Sequence, residues 1–157
     1  MTAGVSEAAK VVRALRAAHL HDGGRPALLQ MACERIRSWG PPYTSVYAYM
    51  MHGGELQLEA HAGRDTEHTR IPVGKGVCGT AVAEKRDQNV ADVNALGGGG
   101  GNYLACNAFT KSELVVLIRR GDNILGQLDI DSDVRAGFGE REHADVKEVA
   151  DALAVLL

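Results

Sequence analysis

Helical periodicity sits at the two ends of this chain and period-two alternation lies between them, a division that calls for a sheet covered by helices. Over residues 6–22, Val11, Val12, Leu15 and Ala18 recur at helical spacing behind Ser6, a residue type suited to cap the first turn. Leu28, Leu29, Ala32, Cys33 and Ile36 repeat the pattern over 26–39, and Gly40-Pro41-Pro42 ends it. A β-rich stretch over 43–52 then runs through Gly53-Gly54 into Glu55-Leu56-Gln57-Leu58-Glu59-Ala60, which predicts a hairpin. Short strands are predicted over 69–73 and 89–91, with a brief helix over 80–86 between them. Longer strands follow over 112–119 and 123–132, around Gly121-Asp122. The tail carries Val146, Val149, Ala150, Leu153 and Leu157 on one stripe. The expectation is one α+β domain over 1–157: helices over 6–39, an antiparallel sheet with its site over 43–132, and a helix over 140–157. The sheet would be covered on a single face, by the terminal helices.

Composition narrows the function. The chain has 157 residues, 45% of them hydrophobic and 24% charged, with a net charge of −3. That length lets one core bury roughly 70% of the unfolded surface. No block of basic residues offers a footprint for nucleic acid, and apolar runs such as 114–118 are far too short to cross a bilayer. Glu7, Lys10, Arg13 and Arg16 interrupt any apolar signal region, so a cytoplasmic location is expected. There the three cysteines would be reduced thiols. Cys33 shares the stripe of Leu29, Ala32 and Ile36 and is expected to pack in the core. No C-x-x-C or H-E-x-x-H spacing calls for zinc.

Three features point to chemistry. Cys78 lies in Gly74-Lys75-Gly76-Val77-Cys78-Gly79-Thr80, which is expected to turn into a helix capped at Thr80. A thiol there would face free backbone N–H groups and Lys75, both favouring thiolate. The same stretch spells G-x-G-x-x-G, but the helix after it is too short for a dinucleotide crossover. Cys106 follows five consecutive glycines, Gly97 to Gly101, in the irregular stretch 93–111. A cysteine on such a surface loop is the better nucleophile candidate. The third feature is acidic: Asp129 and Asp131 share one face of their strand, with Leu128 and Ile130 on the other. Glu113 opens the neighbouring strand, with Val115 and Leu117 on its face. If the strands pair, three acids converge near the return of the Cys106 loop, an arrangement that suits an ammonium group, a metal, or a proton donor of raised pKa. A solvated sheet face is the plain alternative. Asp129, Asp131, Asp133 and Glu140 match an EF-hand spacing, but Val134 stands where glycine is needed and a strand precedes, so calcium is not expected.

The run Ile71-Pro72-Val73-Gly74-Lys75-Gly76-Val77-Cys78-Gly79-Thr80-Ala81-Val82-Ala83 is followed in order by Asp92-Val93, Leu104-Ala105-Cys106, Ser112-Glu113-Leu114-Val115-Val116 and Gly126-Gln127-Leu128-Asp129-Ile130-Asp131-Ser132. This pattern closely resembles the free methionine-(R)-sulfoxide reductases, which are stand-alone GAF domains. The resemblance implies a Cys106 thiolate that attacks the sulfoxide sulfur while a protonated carboxyl supplies the proton to the leaving oxygen. Glu113, Asp129 and Asp131 would line the substrate pocket, with carboxylates holding the ammonium of a free amino acid, and Tyr49 would keep its aromatic place. A second thiol, Cys78 or an external one, would capture the sulfenic acid, and thioredoxin would reduce the disulfide. No cofactor beyond that external thiol is implied; a homodimer is. The chain departs from the family in having His68 where a resolving cysteine is usual. It also has Ser45-Val46-Tyr47-Ala48-Tyr49 in place of W-x-G-F-Y, so the family's tryptophan is absent. Two other readings stand beside the reductase: a GAF sensor that binds a small ligand without turnover, and a redox switch in which Cys78 and Cys106 form a disulfide.

Overall fold

The computed structural model describes residues 4–96 and 109–157. In chain order the elements are α1 (Glu7–Leu20), α2 (Arg25–Arg37), β1 (Ser45–His52), β2 (Glu55–Ala62), β3 (Arg70–Pro72), α3 (Gly76–Glu84), β4 (Gln88–Val90), a 3-10 turn (Val93–Leu96), β5 (Ser112–Arg120), β6 (Asn123–Ser132) and α4 (Glu140–Leu156). The strands form one sheet in the order β3-β2-β1-β6-β5-β4, and every neighbouring pair is antiparallel. The α+β class and the long elements follow the sequence pattern closely.

Local chemistry explains the boundaries. Ser6 Oγ accepts from the backbone N–H of Ala9 at 3.0 Å, closing the first turn of α1. α2 starts behind Gly24 with Pro26 in its first turn, where a missing N–H costs nothing. The end of α4 is tied to β5 by Arg120, which donates to the carbonyls of Ala154 and Leu157, each at 2.6 Å. No described helix is long and apolar enough to cross a membrane.

The main core lies between the sheet and the helices α1, α2 and α4. Leu15, Leu28, Leu29, Ile36, Val149 and Leu153 meet Val46, Ala48, Leu114, Val116, Leu128 and Ile130 there. Two expectations need correction. The sheet is not covered on one face alone: Tyr47, Tyr49, Leu56, Val115 and Leu117 on its other face pack against Val77, Cys78, Ala81 and Val82 of α3. In addition, α3 begins at Gly76 behind an N-cap at Lys75, not at Thr80. Both corrections have one cause. The helix is apolar nearly all round, with Gly76, Val77, Cys78, Gly79, Ala81 and Val82 buried, so it has no polar stripe to announce it.

The glycines around α3 allow close approach instead of breaking the helix. Gly74 adopts φ +91° and donates to the Gly79 carbonyl at 2.8 Å. A Cβ on Gly79 would lie 2.5 Å from the Pro72 carbonyl oxygen and 3.0 Å from the Gly74 nitrogen, both backbone atoms. Gly79→Ala must therefore push α3 off the β3 turn, and a loss of about 1–3 kcal/mol is expected. Urea unfolding checks this, and an unchanged midpoint would show that α3 can slide without cost.

Candidate active site

Strand alternation sends Leu114, Val116, Leu128 and Ile130 into the helix-covered core, so the residues between them must take the opposite face. The β5–β6 register places Glu113 opposite Asp131 and Val115 opposite Asp129. On the other side of β6, Tyr47 stands opposite Asp129, Ser45 opposite Asp131 and Tyr49 opposite Gln127. Glu113 is 2% exposed, Asp129 0% and Asp131 2%. This face is therefore not a solvated one, because α3 lies over it.

Cys78, in the first turn of α3, donates its thiol proton to Glu113 Oε2 at 3.9 Å. One donor atom each from Cys78, Glu113 and Asp129 lies within 4.8 Å of the others. A small cation would satisfy such a trio; a shared proton meets the same electrostatic need. Thr110 Oγ1 donates to Asp131 Oδ2 at 3.4 Å, and Gln127 Nε2 donates to the Cys78 carbonyl at 3.0 Å. Tyr49, fully buried, donates its hydroxyl to the His68 carbonyl at 2.6 Å, and Tyr47 donates to the Arg64 carbonyl at 2.8 Å.

Of the residues singled out from sequence, the structure gathers Cys78, Glu113, Asp129 and Asp131 at one place, with Tyr49 on the same face. Cys106 lies outside the described residues. Thr110, Gln127 and Tyr47 join the site without having been singled out. Gln127 extends the Asp129, Asp131 alternation by one step and was legible on that ground. Thr110 follows an irregular stretch with no periodic signal. Cys33 behaves as expected, buried in the main core with its thiol pushed up to about 12, chiefly by burial and then by Glu34. Beside the acids, a cavity of about 10 Å³ is lined by His68, Ile71, Lys75, Gly76, Val77, Cys78 and Glu113. It admits about one water molecule and no amino acid.

Burial and the adjacent acids decide the charge state. Glu113 is held well above its ordinary value of 4.5, first by loss of solvent, then by the charge of Asp129, a hydrogen bond to Asp129 and the charge of Asp131; the Cys78 thiol pulls it back only in part. Glu113 therefore keeps a proton and donates it to Asp129. A carboxyl whose folded-state pKa is raised stabilises the fold fully below its unfolded pKa, and that contribution is lost as pH rises through the folded value. Glu113→Gln keeps the donor and removes the titration. As pH rises above the ordinary carboxyl range, the variant is expected to gain stability relative to the wild type. Urea midpoints measured from that range upward check it, and parallel curves for the two proteins would contradict the assignment of the proton.

Known proteins of the same build carry informative names. The GAF domain family matches residues 10–157. Free methionine-R-sulfoxide reductase of Escherichia coli (strain K12) is 39% identical over 109 residues, which are 69% of this chain and 63% of that protein. The chain spans about half the length of the other curated relatives it matches. Among solved structures, type II free methionine-R-sulfoxide reductase from Thermoplasma acidophilum is 33% identical with a TM-score of 0.75, covering 93% of this chain and 94% of that one. The reduced form of fRMsr of Staphylococcus aureus is 30% identical with a TM-score of 0.83, covering 100% of this chain and 99% of that one. Similarity of that extent along both chains is kinship: this chain belongs to the GAF domain family, within the branch that holds the free methionine-R-sulfoxide reductases.

Proposed function

We propose that this chain reduces the sulfoxide of a free amino acid, methionine-(R)-sulfoxide or a close analogue, with Cys106 as nucleophile. The observation that carries the reading is Glu113: a carboxyl without solvent, faced by two more carboxyls, a setting that favours its protonated form. A buried acid poised in this way is a general acid in waiting, and the negative charge beside it suits an ammonium group. The names of the relatives described above point to the same substrate class.

The Cys106 thiolate forms a bond to the sulfoxide sulfur, and the oxygen passes to the cysteine sulfur as it takes the Glu113 proton. The products are the thioether, a Cys106 sulfenic acid and a Glu113 carboxylate. A second thiol then displaces the oxygen as water and leaves a disulfide. Cys78 is the resolving thiol within this chain, because it already abuts Glu113. An external dithiol of the thioredoxin type reduces the disulfide, and no further cofactor enters. Asp129 and Asp131 hold the substrate ammonium, with Tyr49 and Tyr47 as wall.

The reading also takes the chain as one GAF domain in the cytoplasm, paired with a second copy. A groove of about 510 Å³ between α1 and α4 sets Arg13 and Arg16 beside Glu148 and Asp151, a charge pattern that a second copy can complement.

The decisive assay incubates racemic free methionine sulfoxide with the protein and dithiothreitol, followed by chiral product analysis. Loss of one enantiomer is expected, falling to background in Cys106→Ser. A folded protein that consumes neither, yet melts higher with the ligand present, would be a sensor. Cys78→Ser is expected to keep dithiothreitol turnover and lose thioredoxin-coupled turnover. Loss of an ammonium contact in Asp131→Asn is expected to raise KM about 10- to 100-fold, in line with a charged hydrogen bond. An unchanged KM would remove Asp131 from the substrate site.

A further inference from the structure

On the reductase reading, every turnover leaves Glu113 as a carboxylate that must regain a proton from solvent before the next. The residue is 2% exposed, and its two acidic neighbours are as deeply buried, so neither can fetch one. The cavity beside Glu113 is the route the structure offers. Glu113 and Cys78, both buried, share its lining with His68 and Lys75, both reached by solvent, and with Ile71, Gly76 and Val77. Its volume of about 10 Å³ holds about one water, and those polar groups supply the two to four partners that such a water needs. Of the two solvent-reached side-chain types, imidazole is the one that both takes and gives a proton near neutral pH. The backbone at His68 is held in place on both sides. Its backbone N–H donates to Thr66 Oγ1 at 3.1 Å, and its carbonyl accepts from the Tyr49 hydroxyl at 2.6 Å.

We propose that His68 is a positioning residue that returns a proton from solvent to Glu113 through a single water in the cavity shared by the two. The proton leaves the His68 imidazolium, one proton of the bridging water passes to the Glu113 carboxylate, and His68 is recharged from bulk. No electron moves and no co-reactant is needed. The proposal rests on the reductase reading.

The test is quenched-flow kinetics on the full chain, with racemic free methionine sulfoxide and excess dithiothreitol. In His68→Ala the first turnover is expected at the wild-type rate, because Glu113 starts protonated. Later turnovers slow about tenfold or more with KM unchanged, and added imidazole restores them. His68→Gln, which preserves bulk, is expected to show the same burst and slow phase, with no rescue by imidazole. A first turnover slowed as much as the later ones, or steady-state rates equal to wild type in both variants, would overturn the relay while leaving the reductase intact. A wild-type chain with no turnover would instead overturn the reductase reading, and the relay with it.

Discussion

The pairing of β5 with β6 is the constraint on which the site depends. Its register sets Glu113 against Asp131 and, one step along the same face, Asp129 beside Val115. With α3 packed over that face, the acids lose the solvent that would let all of them ionise. A proton retained on Glu113 and shared with Asp129 is the physical answer. An acid able to donate at neutral pH and a neighbourhood attractive to cations are two consequences of the same burial.

α3 is the element that turns an acidic sheet face into a site. Its apolar residues need cover as much as the second face of the sheet does, and the Gly74–Gly79 contact draws its first turn against β3. That places the Cys78 thiol on Glu113 and brings Lys75 and the segment running from His68 into β3 to the rim of the cavity. Cys33 illustrates the contrast. It is just as buried, but it sits in the main core, where burial raises its thiol to about 12 and leaves it inert.

Much of this was legible in the sequence because it follows from chain periodicity. The alternation of Leu114 with Val115, and of Leu128 with Asp129, is enough to sort core from site on each strand. The stripes of α1, α2 and α4 announce helices that share one face of the sheet. The start of α3 was not legible, because glycine-rich sequence reads locally as a turn and an all-apolar helix leaves no stripe. Thr110 escaped for a related reason: it lies next to a stretch with no repeating pattern, and only its contact with Asp131 gives it meaning.

By itself the sequence determined which elements form, which strand faces are apolar, and which thiols and carboxyls are at hand, since these depend on neighbours a few residues apart. Only the tertiary structure decided that the acidic face would be sealed, that Cys78 would meet Glu113 across 35 positions of chain, and that His68 would share one water-sized cavity with both. The reason is that protonation depends on solvent and on charges in space. Whether water reaches a carboxyl is settled by what packs over it, and here the covering helix comes from a different part of the chain.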